Sequence, residues 1–328
     1  MFRCLGCGQF TALPQCVHCG YTFEVIDGVY QLTHDASTNL DDSLGIQYIG
    51  YDRVGTYYHG PSWVDAECDA RSLVVGEKIA ELSGGGTLLD LGCGDGAHAV
   101  PAALHGCRVI AGDISNRMLG LLLKKGERNN VPPARITPCR LNALSIPVAE
   151  ASVDGVVLNS VLHLISEPVR VIDEVYRVLK PGGALMMEVN SSGVPDERQR
   201  EIEERNREYT ERENEFHRRY WEILEDMGVA KTLYSWRFDQ FAACKAVFGN
   251  SARLTIPFPE HRKGTFADDW LQRFGGKGFS VQQGVPDDLH ARAFAEVITE
   301  FGAKYGPDFG ALTFEWISDG LVLHCFQK

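Results

Sequence analysis

Between Ala70 and Val189 short apolar runs alternate with longer stretches whose apolar positions recur at helical spacing. The runs are Thr87 to Leu91, Arg108 to Ala111, Arg135 to Pro138, Asp154 to Leu158 and Ala184 to Val189. Strands and helices in strict alternation predict parallel strands joined by crossover helices, a doubly wound α/β sheet. After Asn190 the pattern changes, and Pro195 to Gly228 predicts one long amphipathic helix. Its Ile202, Tyr209, Phe216 and Ile223 recur every seven residues, and Glu201/Arg205, Glu203/Arg207, Glu208/Arg212 and Glu215/Arg219 are spaced as i,i+4 ion pairs. The apolar stripe requires a cover: the sheet, the substrate pocket or a second subunit, and its period makes a homodimer an expectation. From Lys231 to Gly310 the chain is aromatic-rich and irregular, with Gly278 to Val281 and Gly320 to His324 reading as strands that pair into an antiparallel edge of the sheet.

The first 35 residues have a different character. Cys4, Cys7, Cys16 and Cys19 form two CxxC pairs, each followed by a glycine that permits a tight turn. Two thiolates two residues apart face one ion when the backbone bends into a knuckle, and two knuckles close a tetrahedral zinc site with no open position. Such a zinc is structural. Tyr21 to Leu32, with a turn at Asp27-Gly28, reads as a hairpin completing a module too small to fold without metal. His18 lies inside the second knuckle as a bystander. The polar stretch from Thr33 to Asp65 carries Tyr48, Tyr51, Tyr57, Tyr58 and His59, which suits a linker that also closes as a lid.

Composition narrows the function. The 328 residues carry 32 Lys and Arg against 44 Asp and Glu, a net charge of −12 that disfavours a nucleic-acid partner. No signal pattern opens the chain and no run of apolar residues is long enough for a bilayer, so a cytoplasmic protein without membrane contact is expected. Ten cysteines then read as metal ligands and buried thiols before disulfides.

The loop after the first strand of the sheet, Asp90-Leu91-Gly92-Cys93-Gly94-Asp95-Gly96-Ala97, admits two cofactors. Gly92, Gly94 and Ala97 fit a dinucleotide fingerprint, yet Asp90 and Asp95 put carboxylates where a pyrophosphate needs bare N–H groups. A zwitterionic or cationic ligand fits better.

In Asp90-x-Gly92-x-Gly94-x-Gly96 the chain resembles the first motif of class I S-adenosylmethionine-dependent methyltransferases, and the resemblance continues to Asn190. Asp113, in Gly112-Asp113-Ile114, matches the acidic residue that binds the ribose hydroxyls, and Asn142-Ala143 matches the position that contacts adenine, where many relatives have Asp. Asp154 to His163 resembles the fourth-strand motif, whose end at Asn159 lies beside the sulfonium, and Glu174 to Gly183 resembles the helix ending in a Pro-Gly-Gly turn. The resemblance implies a Rossmann-like methyltransferase sheet with S-adenosylmethionine held by Asp90, Gly92, Gly94, Asp95, Asp113, Ile114, Asn142, Ala143 and Asn159. Five segments follow: a zinc ribbon over 1–35, a linker or lid over 36–69, the cofactor-binding core over 70–192, a mostly helical cap selecting substrate over 193–310 and a last strand of the core sheet over 311–328.

For an acceptor oxygen or nitrogen that is neutral at pH 7 a general base helps, and His163, at the mouth of the fourth strand, is the first candidate. His59, Tyr57 and Tyr58 follow as lid residues, and Glu188 and Asn190 as further lining; His98, His105 and His261 read as ordinary. A ribbon preceding a methyltransferase also resembles the ribosomal-RNA guanine methyltransferases, which implies a base in rRNA or tRNA as the alternative acceptor. Arg3 is the only Lys or Arg among the first 34 residues, a poor phosphate clamp, so a small molecule such as a secondary metabolite is the preferred acceptor. A methyltransferase fold that binds without catalysis is the third reading.

Overall fold

At the N-terminus a minimal ribbon, Phe2–Arg3 (β1) against Phe10–Thr11 (β2), brackets the first knuckle, and the bridge from Gln15 to Thr22 brackets the second. Next comes the hairpin Val25–Ile26 (β3) and Val29–Gln31 (β4), turned by Asp27 and Gly28, both at positive φ, the twist that two-residue hairpins favour. The structure, a computed structural model, describes residues 1–33, 68–165, 167–189, 196–229, 238–249, 251–277, 282 and 285–328. Tyr48, Tyr51, Tyr57, Tyr58, His59, Asn190 and the expected strand Gly278 to Val281 lie outside the described residues.

The core begins with helix Ala70–Leu82 (α1), whose first turn is capped by the Asp69 carboxylate accepting from the Ser72 N–H at 2.7 Å. The sheet strands follow as Thr87–Leu91 (β5), Arg108–Asp113 (β6), Ile136–Arg140 (β7), Val153–Leu158 (β8) and Leu179–Val189 (β9). Helices Ala99–Leu104 (α2), Asn116–Arg128 (α3) and Pro168–Val178 (α4) run between them. β5 pairs in parallel with both β6 and β8, so the chain reverses its direction of travel there and opens a crevice at the strands' carboxyl ends. Buried residues of the sheet face two layers: Leu89, Leu91, Val156 and Leu158 pack with α4, and Leu88, Val157 and Met186 with α1 and α2.

Both ends of the sheet differ from expectation. The ribbon hairpin is not confined to the cysteine module: β4 pairs in parallel with β7, and β3 closes that edge. At the other end the last strand, Thr313–Gln327 (β11), is antiparallel to β9 on one side and to Ser251–Thr265 (β10) on the other, in a nine-stranded order β10-β11-β9-β8-β5-β6-β7-β4-β3. Both sides of Val322–Phe326 are therefore occupied, and the edge expected from Gly278 to Val281 is supplied by β10.

The single long helix expected over Pro195 to Gly228 is two, Asp196–Arg205 (α5) and Arg207–Asp226 (α6). Asn206 breaks it by behaving like a strand: its amide accepts from the Glu315 N–H at 3.0 Å and donates to the Glu315 carbonyl at 2.7 Å. Tyr209, Phe216 and Ile223 of the stripe are buried within the chain, against Phe266, Phe274 and helix Asp287–Tyr305 (α9), the last in chain order after Gln240–Phe248 (α7) and Gln272–Gly275 (α8). That cover removes the stripe as an argument for a dimer. Of the four expected ion pairs only Glu208–Arg212, at 2.8 Å, is formed as spaced. Arg205 turns to Glu315 on β11, and Arg219 and Glu215 to Glu300 and Lys304 on α9, partners that come closer than the next helical turn, while Arg207 pairs with Glu204 across the break between α5 and α6. No helix among the described residues is long and apolar enough to cross a membrane.

Candidate functional site

The glycine loop leaves β5 at Leu91 and is bent by Gly92, Gly94 and Gly96, all at positive φ. A Cβ at Gly92 would overlap the Val161 side chain, whereas one at Gly94 would meet nothing within 4 Å, because Gly94 faces a cavity. That cavity, about 260 Å³, lies over the carboxyl ends of β5 to β8. Gly92, Gly94, Asp113, Ile114, Asn142, Ala143 and Asn159, seven of the residues expected to hold cofactor, line it.

Asp113 ends β6, and each of its carboxylate oxygens is fixed by a backbone donor: Oδ2 accepts from Gly94 N–H at 2.9 Å and Oδ1 from Ser115 N–H at 2.9 Å. A carboxylate has about four lone-pair positions, so the group stays oriented with acceptor capacity for a vicinal diol. Asn142 is turned the other way round from a purely accepting role. Its Oδ1 takes the Leu144 N–H at 2.9 Å, which leaves the Nδ2 donor for a purine ring nitrogen. Sequence reasoning missed Ser160, a lining residue held at φ +55°, and the apolar wall of Met118, Leu144, Leu164 and Ile165. A strained non-glycine residue at a strand end has no signature in residue type, and the wall residues read as ordinary core.

Asp90 and Asp95 do not line the cavity. Asp95 is drawn aside into an ion pair with Lys125 at 2.5 Å, both side chains being largely buried. Asp90 is sunk below the loop at 2% exposure, its carboxyl accepting the Ala99 N–H while Oδ2 lacks a hydrogen-bond partner. Burial pushes the Asp90 carboxyl up to about 6, against the opposing charge of His98. His98, ordinary by residue pattern, lies 3.1 Å from Glu188 through Nε2, and the other Glu188 oxygen pairs with Arg71 of α1. His163 sits in the turn after β8 between the lining residues Val161 and Leu164, half-buried and not itself part of the lining. Burial lowers its pKa, which favours the neutral imidazole.

Apart from this cavity, the sulfurs of Cys4, Cys7, Cys16 and Cys19 all lie within 4.8 Å of one another. Cys4–Cys19 and Cys7–Cys16 are 3.6 and 3.7 Å apart, close to the edge of about 3.8 Å expected for a tetrahedron with zinc–sulfur bonds of about 2.3 Å. The knuckles are closed by Gly8 N–H to Cys4 O and Gly20 N–H to Cys16 O, both 2.9 Å, with both glycines at positive φ. Cys4 and Cys16 are buried and join the same apolar cluster as Leu141 and Ile165 of the cavity wall.

Residues 89–187 match the family described as a methyltransferase domain. The chain is 32% identical over 149 residues to the demethylmenaquinone methyltransferase of Clavibacter sepedonicus, a match covering 44% of this chain and 56% of that one. It is 33% identical over 131 residues to the arsenite methyltransferase of Halobacterium salinarum, covering 38% and 33%. Among solved structures, an S-adenosylmethionine-dependent methyltransferase from Aquifex aeolicus is 23% identical and superposes over 42% of this chain and 77% of its own with a TM-score of 0.34. The chain thus spans about half of one of these curated relatives and a third of the other. The glycine loop, the pinned Asp113 and the Pro-Gly-Gly turn all fall inside the stretch that matches a methyltransferase domain, residues 89–187.

Proposed function

We propose that the chain transfers a methyl group from S-adenosylmethionine to a small-molecule acceptor, and that its four clustered cysteines hold a structural zinc ion. Asp113 carries the cofactor reading: a carboxylate aimed by two backbone donors into a cavity of about 260 Å³ suits a ribose diol and repels a pyrophosphate. The residues present fit the rest of the ligand as well. Gly94 leaves room for close approach, Asn142 Nδ2 offers a donor to the purine, and Met118, Leu144 and Ile165 exclude water from its faces. When bound, S-adenosylmethionine supplies an electrophilic methyl group on a sulfonium, so the chain's task is to orient the acceptor and keep water out. His163, neutral near pH 7 and next to the turn that lines the cavity, is the group to take a proton from an oxygen or nitrogen acceptor. His59 and Tyr58 stay in the proposal as lid residues. Four sulfurs close the zinc's coordination, which restricts the metal to holding structure.

A small acceptor is favoured by the net charge of −12 and by Arg3 being the only Lys or Arg of the first 34 residues. The relatives named for demethylmenaquinone and arsenite act on small molecules too. The ten cysteines form no disulfide with one another, which fits a reducing cytoplasm. Calorimetric titration of S-adenosylmethionine into the wild type and Asp113→Ala tests the reading: saturable binding by the wild type, weakened at least tenfold in the variant, is the expected result. Absence of binding by the wild type overturns it, equal binding by the variant overturns the site, and tight, steeply salt-dependent binding of structured RNA overturns the small acceptor.

A further inference from the structure

We propose that His98 is a positioning residue for cofactor binding: held by Glu188, whose other oxygen pairs with Arg71, its imidazolium is the counter-ion of Asp90 beneath the glycine loop. The inference rests on the cofactor reading above. Asp90 on β5 and Glu188 on β9 point to the same face of the sheet, because Asp90 stands in register with Val157 and Val157 with Met186, two residues before Glu188. β8 separates them, and His98 at the entry to α2 spans the gap. Its side chain is 13% exposed, with Nε2 3.1 Å from Glu188. Its neighbour Ala99 gives its N–H to Asp90.

Four charges are thus gathered below the loop. Asp90, Glu188 and Arg71 sum to −1, and a protonated His98 brings them to neutrality, which a low-dielectric site requires. The groups facing His98 are Asp90 from β5, Glu188 from β9 and, farther off, Asp95 from the loop. Those facing Asp90 are His98, then Asp113 from β6 and Asp95. Burial alone pushes the imidazole down, but the Glu188 hydrogen bond and the Asp90 charge outweigh it and the net shift is upward. Without His98, the charged groups that face Asp90 directly are Asp113 and Asp95, both of like sign, and Asp90 is protonated at higher pH. The loop then loses negative potential under a cofactor whose sulfonium is cationic.

The test is the pH dependence of S-adenosylmethionine affinity in the wild type, His98→Gln and Glu188→Gln, together with an NMR titration of the His98 imidazole. The wild type should lose affinity as pH falls through about 6, the value set by Asp90. In His98→Gln the loss should move to higher pH, giving at least tenfold weaker binding near neutrality that recovers in alkaline buffer. Glu188→Gln should lower the imidazole's midpoint and move the affinity curve the same way by less. A uniform weakening at all pH values would mean a merely structural role and overturn the proposal. So would a His98 midpoint at or below the ordinary histidine value, a measurement that needs no cofactor and stands apart from failure of the cofactor reading.

Discussion

Tyr30, on the hairpin that follows the cysteine cluster, stands in parallel register with Cys139 on β7, so the ribbon's hairpin and the nine-stranded sheet share one hydrogen-bonded surface. The join is extended by Leu32 N–H to Arg140 O at 2.9 Å and by Arg140 Nε to the carbonyl of Ile114, a cavity residue, at 3.1 Å. Metal loss should therefore reach the cofactor. With the cysteines released, Cys4, Cys16, Phe23 and Leu32 no longer have a fixed frame against Leu141 and Ile146. Chelation, or Cys16→Ser, is expected to weaken S-adenosylmethionine binding by about tenfold or more, about 1.4 kcal/mol. Calorimetry on zinc-loaded and chelated protein checks it, and equal affinity would show that the ribbon and the cavity are independent.

At Gly92 backbone and packing demand the same residue. Its φ of +72° disfavours a side chain, and any Cβ overlaps Val161. Gly92→Ala should displace the loop and lower cofactor affinity at least tenfold. Gly92→Ala with Val161→Ala should recover part of the loss, because the overlap is removed while the backbone strain stays. Affinities of the single and double variants measure this, and a double variant no better than Gly92→Ala alone would assign the whole effect to φ.

The core strands were legible because each is buried on both faces, so burial writes itself into continuous apolar runs; Thr87–Leu91 has the bounds its sequence indicates. β10 was not. It is an edge strand with one partner, most of its side chains are exposed or half-exposed, and Pro257 and Pro259 sit by an irregularity in its register, so nothing forces alternation on Ser251 to Thr265. The site divides in the same way. Asp113, Gly92 and Gly94 are identified by local motif, whereas His98 acquires meaning only from Glu188, ninety residues away, and Asp95 loses its expected place to Lys125. Local sequence carries the loop's shape; the charges around it depend on which strands the topology brings together.

Arg177 is a second long-range anchor. It donates to both oxygens of Glu174 and to the carbonyls of Ile146 and Val148, fixing the segment on which Arg3 N–H and the start of the ribbon rest. Arg177→Ala should cost about 2–3 kcal/mol at neutral pH, since it strips two carbonyls and a carboxylate of a charged donor. Burial pushes the Glu174 carboxyl up, but Arg177 and the Ile146 N–H outweigh it and its pKa is lowered on folding. A depressed pKa gives stability that is complete above the ordinary carboxylate range and is lost as pH falls through the folded value. The gap between wild type and variant in urea melts should accordingly be widest near neutrality and narrow in acid. A gap that does not change with pH would remove Glu174 from the account.

Phe216 tests the C-terminal helices. It is fully buried on α6 and meets Phe266, Phe274, Phe294 and Phe301 at ring distances of 5.0 to 6.1 Å, mostly edge to face. Truncating a buried Phe leaves a cavity that neighbouring rings cannot fill, so Phe216→Ala should cost about 3–5 kcal/mol. None of the residues lining the cavity over the glycine loop comes from this aromatic cluster, and the variant should keep S-adenosylmethionine affinity within about threefold of wild type while its folded state lasts. Because the seven-residue stripe is consumed within the chain, Phe216→Ala should also leave the molar mass in solution unchanged. Urea melts, calorimetry and light scattering on the same variant separate these outcomes: a change in mass would return the stripe to a subunit interface, and lost affinity at full folding would mean that the aromatic core acts on the cavity through β11 and β9.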